Sequence, residues 1–291
     1  MEPGPSGTAQ LVAMFRALAA VDPREEIRGR DALAALFLTD DQKKPLNDPA
    51  VRAWVLRSRS SAGAYAYLLC RTAYLDHVVE QALRESIPQI VFVGAGYDTR
   101  ASRYRALAER TKIFELDTPA TQTRKVEILR RQNVPLPPGL VFVPADLRKH
   151  SPSDALRGSG FDAREKTLFV LEGLLNYLAP EVVDRTLACI GNEANRDSSV
   201  CLDLKCRLSP AADATAPGRL TDTGKAYFQH EPILFEIDWD RVVPFLSERG
   251  FKIEEDLAAG ELERRFLTLR DGSLAGNVPA RFRILRASIA R

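Results

Sequence analysis

The residues with the clearest chemical content stand at the ends of short apolar runs. Ile90-Val91-Phe92-Val93 stops abruptly in Gly94-Ala95-Gly96-Tyr97-Asp98-Thr99-Arg100. Glycines at such a place let the backbone approach a ligand where a Cβ would intrude, as at the crevice beyond the carboxyl end of a strand. Further on, Phe114-Glu115-Leu116 ends in Asp117, an acid able to accept both hydroxyls of a ribose. Val143-Pro144-Ala145 leads to Asp146 and Leu147. There a carboxylate can accept from an adenine amino group while the next backbone N–H donates to a ring nitrogen. A fourth run, closed by Leu171, gives Glu172 and Gly173. Taken singly, Asp117 or Asp146 reads most simply as a helix N-cap, and Glu172 as a solvated loop residue. Three acids and a Gly-Ala-Gly on one edge of one sheet point instead to a nucleoside-type ligand.

Those ends need strands and helices to hold them. Candidate strands are Ile90–Val93, Lys112–Leu116, Leu140–Val143, Thr167–Leu171 and Ser199–Leu204, each apolar enough to be buried on both faces. Helical patterns fall between them at Ser102–Glu109, Thr118–Gln132 and Pro180–Glu193. Such alternation predicts an α/β fold with a doubly wound, mostly parallel sheet. Two late strands, Phe251–Asp256 and Arg281–Ala287, complete it. The first 86 residues read as a helical cap. Leu11, Val12, Met14, Phe15, Leu18 and Ala19 share a helical spacing, Ala32–Leu38 continues it, and a long helix runs from Tyr65 to Glu85. Asp40 to Pro49 reads as a loop from its proline and charge content. Residues 87–291 form the α/β domain. An insertion over the active-site face, about 206–240, breaks the rhythm with Ser-Pro, Ala-Pro-Gly and Thr-Asp-Thr-Gly before the last two strands.

Composition narrows the function classes. The 291 residues are 45% apolar and 27% charged, and 41 Lys+Arg against 39 Asp+Glu leave a formal charge of +2. Near-balanced charge gives no nucleic-acid footprint. Cys70, Cys189, Cys201 and Cys206 include no Cys-x-x-Cys pair, so buried free thiols in a reducing compartment and no metal are expected. Met1–Thr8 lacks a basic stretch, and Leu11–Val21 is broken by Arg16. Neither a signal peptide nor a membrane span is expected, and the chain reads as soluble and cytoplasmic, with no membrane partner.

The ligand can be narrowed further. A dinucleotide fingerprint wants a third glycine where Thr99 stands, which weighs against a nicotinamide cofactor, and no phosphate-binding P-loop occurs. S-adenosylmethionine fits better, having adenine and ribose but no phosphate. The motifs Gly94-Ala95-Gly96-Tyr97-Asp98-Thr99-Arg100, Phe114-Glu115-Leu116-Asp117-Thr118-Pro119, Ala145-Asp146-Leu147 and Leu171-Glu172-Gly173-Leu174-Leu175-Asn176-Tyr177-Leu178 resemble, in order, those of the leucine carboxyl methyltransferase family. Cys70-Arg71-Thr72-Ala73-Tyr74-Leu75-Asp76 is similar to a helix upstream in such proteins. Glu231-Pro232-Ile233-Leu234-Phe235-Glu236-Ile237-Asp238 resembles their late region. The resemblance implies a Rossmann-like class I methyltransferase fold with S-adenosylmethionine as cofactor. It implies that Arg71 holds the methionine carboxylate and that Gly94 lies against the methionine portion, with Gly96 shaping the turn. Asp117 would take the ribose, Asp146 and Leu147 the adenine, and Glu172 the ammonium or sulfonium side. Without the resemblance, Arg71 reads as a helix-surface residue paired with Asp76 or Glu80. Thr118 departs from the family, which often has a longer apolar residue there, and the insertion matches poorly.

The family methylates carboxyl or other oxygens, so the expected activity is O-methylation, with carboxyl methylation of a natural-product acid or a peptide C-terminus favoured. A carboxylate acceptor is already ionised at neutral pH and needs orientation and exclusion of water rather than a base. A hydroxyl acceptor would need one. His77, His150 and His230 all read more simply as structural, and no catalytic base is assigned. Tyr227, Phe228 and His230, in the insertion, are the residues expected to touch substrate. Tyr65, Tyr67 and Tyr177 are further aromatic candidates. A nicotinamide-dependent oxidoreductase and a non-catalytic nucleoside-binding protein on the same fold are the rival readings.

Overall fold

The computed structural model describes residues 4–57, 59–208 and 231–290. Its first helix, α1 (Gly7–Ala20), starts where the Ser6 side chain accepts from the Ala9 amide. A 3-10 turn, Ala32–Phe37, is capped in the same way by Asp31. The segment expected as a loop is instead a helix, α2 (Asp40–Asn47). Thr39 and Gln42 close a reciprocal capping box, Asp40 and Asp41 sit in the first turn, and Arg52 donates to the Pro45 and Leu46 carbonyls. Those caps outweigh the helix-breaking tendency of Pro45. After α3 (Pro49–Arg57) comes α4 (Arg59–Arg84), longer at its start than the expected helix.

Among the described residues eight strands follow: β1 (Gln89–Val93), β2 (Lys112–Asp117), β3 (Leu140–Pro144), β4 (Thr167–Leu171), β5 (Ser199–Arg207), β6 (Ile237–Asp238), β7 (Phe251–Leu257) and β8 (Phe282–Ile289). They form one sheet in the order β3-β2-β1-β4-β5-β8-β7, with β6 beside the end of β5. Pairing is parallel through β5 and antiparallel at β8 and β7, so the sheet is mostly parallel. β5 runs three residues past the expected Leu204. Lys205 pairs with Phe282 of β8 and Cys206 with Ile237 of β6, so both flanks supply partners.

The connecting helices are α5 (Arg100–Arg103), α6 (Pro119–Arg131), α7 (Pro152–Leu156) and α8 (Pro180–Glu193), followed by α9 (Val242–Ser247) and α10 (Ala259–Phe266). The helix expected over Ser102–Glu109 is a single turn, α5, and a separate 3-10 turn at Ala108–Arg110. Arg100 and Arg103 are drawn inward onto Asp76, and the chain then turns so that the Leu107 amide reaches the Tyr104 carbonyl. One sheet face packs Ile90, Phe92 and Cys201 against Leu75, Val79 and Leu83 of α4. The other packs Val91, Val93 and Leu202 against Val183, Leu187 and Ile190 of α8. A third cluster, Ala13, Ala17, Phe37 and Tyr97, fastens α1 over the loop after β1.

Strand order reverses between β1 and β4, where β2 leaves to one side and β4 to the other. Such switch points open a crevice at the carboxyl ends.

Candidate functional site

A cavity of about 690 Å³ occupies that crevice. Arg71, Gly94, Gly96, Asp117, Asp146, Leu147 and Glu172 all line it, so the structure brings together seven residues picked from sequence. Tyr227, Phe228 and His230 lie outside the described residues.

At one end the loop after β1 crosses onto β2. The Gly94 and Ala95 amides both donate to the Leu116 carbonyl, at 2.8 and 2.9 Å. Gly94 has φ +72°, and a Cβ there would sit 2.7 Å from Leu174 Cδ1, so glycine keeps this wall open. Asp117 Oδ2 accepts from the Gly96 amide at 2.6 Å, and Oδ1 from the Thr118 amide at 2.7 Å. Burial pushes the Asp117 carboxyl above its ordinary value, against the lowering effect of those amides. Asp146 is only partly buried. Its carboxylate is gripped by the Arg148 side chain at 2.8 Å, which holds its pKa below the usual value. Leu147 is buried, and its carbonyl accepts from Arg185.

The other end is made of ion pairs. Arg71 is buried, so it is not the surface residue that an Asp76 or Glu80 pairing would make it. Nε lies 3.1 Å from Glu172 and Nη1 3.1 Å from Asp203. Asp76 is taken by Arg100 and Arg103, and Glu80 by Arg30 and Arg84. Glu172 Oε2 also accepts from Arg100 at 2.6 Å. Burial alone would raise the Glu172 pKa, but the Arg100 and Arg71 guanidiniums bring it down to about 2. Asp203, on β5, accepts from Arg71, from the Tyr67 hydroxyl at 2.7 Å and from the Gly173 amide at 2.5 Å. Gly173 has φ +60°, and a Cβ on it would meet Arg71 Nη1 at 2.9 Å.

Asp203 was not among the residues read from sequence. A signal was there: a lone carboxylate inside Val200-Cys201-Leu202-Asp203-Leu204, a strand buried on both faces, requires buried partners. Tyr67 and Tyr65 are not in the cavity lining. Tyr67 serves Asp203, and Tyr65 donates to Asp22. Tyr177 does line it, together with Val12, Arg16, Leu174 and Glu231. Residues 4–9 complete the wall above Gly96, with Ser6 donating its amide to Thr121. His77 and His150 are exposed and lie outside the lining. Cys70, Cys201 and Cys206 are buried free thiols, while Cys189 is half-buried. Among the described residues no three-ligand metal cluster occurs, and no helix is long and apolar enough to cross a membrane.

A family model described as leucine carboxyl methyltransferase matches residues 9–191. A Streptomyces coelicolor protein, named as a candidate S-adenosyl-L-methionine-dependent methyltransferase, is 33% identical over 84% of this chain and 88% of its own length. A Bacillus subtilis protein named in the same way is 28% identical over 79% and 74%. Among solved structures, a candidate methyltransferase of Thermobifida fusca matches the fold with a TM-score of 0.60 at 14% identity, covering 99% of this chain and 96% of that one. A duf574 family protein of Streptomyces avermitilis gives 0.61 at 12% identity, with 95% and 96% covered.

Proposed function

This chain belongs to the leucine carboxyl methyltransferase family of S-adenosylmethionine-dependent methyltransferases, and from that premise we propose that it methylates a carboxylate oxygen of a small organic acid or a peptide C-terminus. The residues present fit the cofactor. Asp117 Oδ2, which takes the Gly96 amide, keeps lone-pair capacity for a ribose hydroxyl, while Oδ1 takes the Thr118 amide and hydroxyl. Arg71 engages the two acids through Nε and Nη1 and lines the cavity, which suits it to hold a tail carboxylate. Glu172 offers negative charge beside the tail ammonium. When bound, S-adenosylmethionine supplies an electrophilic methyl group on a sulfonium.

The chain's own part is orientation and exclusion of water. Residues 4–9 and Tyr177 wall the mouth, and the ion pairs fix Arg71 and Glu172. The observation that carries the acceptor class is the way the lining acids are occupied. Asp117 is held by two backbone amides, Asp98 by Arg100, Glu172 by two arginines and Asp146 by Arg148, which leaves Glu231, and among the described residues no histidine lines the cavity. An acceptor that arrives ionised suits such a site, because it has no proton to give up. Glu231 is the lining carboxylate that a hydroxyl acceptor would use.

The test is a panel of small carboxylic acids, C-terminal peptides and matched alcohols, incubated with methyl-labelled cofactor. Mild alkali afterwards releases methanol from an ester but not from an ether. Alkali-labile label with acids supports the proposal. Alkali-stable label with alcohols, lost in Glu231→Gln, contradicts it.

A further inference from the structure

The ion pair of Arg71 and Glu172 belongs to a much longer buried chain. Arg16 of α1 meets Asp31 at 3.2 Å, and Asp31 meets Arg103 at 3.7 Å. Arg103 and Arg100 share Asp76, at 2.8 and 2.7 Å. Arg100 reaches Asp98 at 2.5 Å and Glu172 at 2.6 Å. Glu172 meets Arg71, and Arg71 meets Asp203, both at 3.1 Å. No side chain in it is more than 10% exposed. The chain therefore links four guanidiniums (Arg16, Arg71, Arg100, Arg103) to five carboxylates (Asp31, Asp76, Asp98, Glu172, Asp203). One negative charge is in excess, and Arg16, Arg71, Asp98 and Glu172 all line the cavity.

Neutral donors hold the surplus in place. The Tyr67 hydroxyl and Gly173 amide serve Asp203, the Arg100 amide serves Asp98, and the Thr99 hydroxyl and Ala34 amide serve Asp31. A surplus charge in a buried chain is costly unless something opposite arrives to balance it. The cofactor, with a sulfonium, an ammonium and a carboxylate, carries a net charge of +1. Its demethylated product is a neutral zwitterion.

We propose that the surplus carboxylate of this chain is the counter-charge of the methyl donor's net positive charge, and that Asp203 thereby sets the preference for donor over demethylated product. This rests on the cofactor assignment above. Asp203 is a positioning residue: it acts through Arg71 and Gly173, and it is not itself in the cavity lining. As the methyl leaves, the ligand loses its charge, the chain is again unbalanced, and release of the product is favoured.

The test compares two non-reacting ligands by isothermal titration calorimetry. One is S-adenosylhomocysteine, which is neutral overall. The other is sinefungin, in which a carbon bearing a protonated amine replaces the methylated sulfur, so that it is net cationic. In Asp203→Asn the preference for sinefungin over S-adenosylhomocysteine should fall about tenfold, the effect of one unit charge at a partly buried site. In Tyr67→Phe, which removes a hydrogen bond to Asp203 but no charge, the preference should stay as in the wild type. An unchanged preference in Asp203→Asn, or an equal fall in Tyr67→Phe, overturns the proposal. If Asp203→Asn does not fold, Asp98→Asn on the other branch removes the same charge and is read the same way. Wild-type protein that binds neither ligand overturns the cofactor assignment itself, and the proposal with it.

Discussion

At the tail end of the cavity, Glu172 is held by arginines from two other elements, Arg71 of α4 and Arg100 of α5. At the nucleoside end, Asp117 is held by backbone amides of its own turn and of the loop beside it. Both carboxylates are partly buried, yet their protonation moves in opposite directions. Glu172 is brought down to about 2, whereas Asp117 is pushed above its ordinary value. Full positive charges at ion-pair distance offset the desolvation of Glu172, whereas the two amide dipoles on Asp117 do not offset its own. The nucleoside end is thus poised to gain hydrogen bonds from a ligand, while the tail end is already rigid and presents fixed charge.

If that contrast is right, variants at the two ends should fail differently. Arg71→Ala should have the largest effect. It leaves Glu172 with Arg100 alone and strips Asp203 of its cation, at a cost of about 3–5 kcal/mol in folding stability. Urea denaturation without ligand would read it, and a loss below 1 kcal/mol would break the account of the tail end. Asp117→Ala should cost less in the ligand-free protein, about 1–3 kcal/mol for the orphaned Gly96 and Thr118 amides. It should lower affinity for S-adenosylhomocysteine by up to about a hundredfold, as the ribose loses its hydrogen bond to a charged acceptor. Asp146→Asn should be the mildest. Its pair with Arg148 is partly exposed, so stability should change by less than about 1 kcal/mol. Calorimetry should show affinity for S-adenosylhomocysteine reduced only severalfold. An effect equal to that of Asp117→Ala would mean that Asp146 carries more of the adenine recognition than its occupied carboxylate allows.

The same contrast explains what could be read from the sequence. The strand-end residues are local: Gly94, Gly96, Asp117, Asp146, Leu147 and Glu172 stand next to the strands that place them, and each strand is visible as an apolar run. Arg71 was found through a resemblance of motifs, and so was the role given to Glu172, itself read as a strand-end acid. Their partners came from far along the chain, with Asp203 132 residues beyond Arg71 and Arg100 72 residues before Glu172. No local pattern reports that kind of pairing. The misread segments have the same origin. The helix at Asp40–Asn47 rests on a capping box that outweighs an internal proline, and the broken helix after β1 on arginines drawn inward to Asp76. Tyr227, Phe228 and His230, the insertion residues expected to meet substrate, lie outside the described residues.

The central claim is that this cavity binds the adenosyl-sulfur cofactor through Asp117. The most direct measurement is thermal unfolding of wild type and Asp117→Ala, each with S-adenosylhomocysteine and with NADH. At a hundred times its Kd the ligand adds about 2.7 kcal/mol, which for a chain of this size raises Tm by about 5 °C. The account predicts that rise for wild type with S-adenosylhomocysteine, its loss in Asp117→Ala at the same ligand concentration, and no rise with NADH. A rise with NADH alone, or an equal rise in both proteins with S-adenosylhomocysteine, would contradict it.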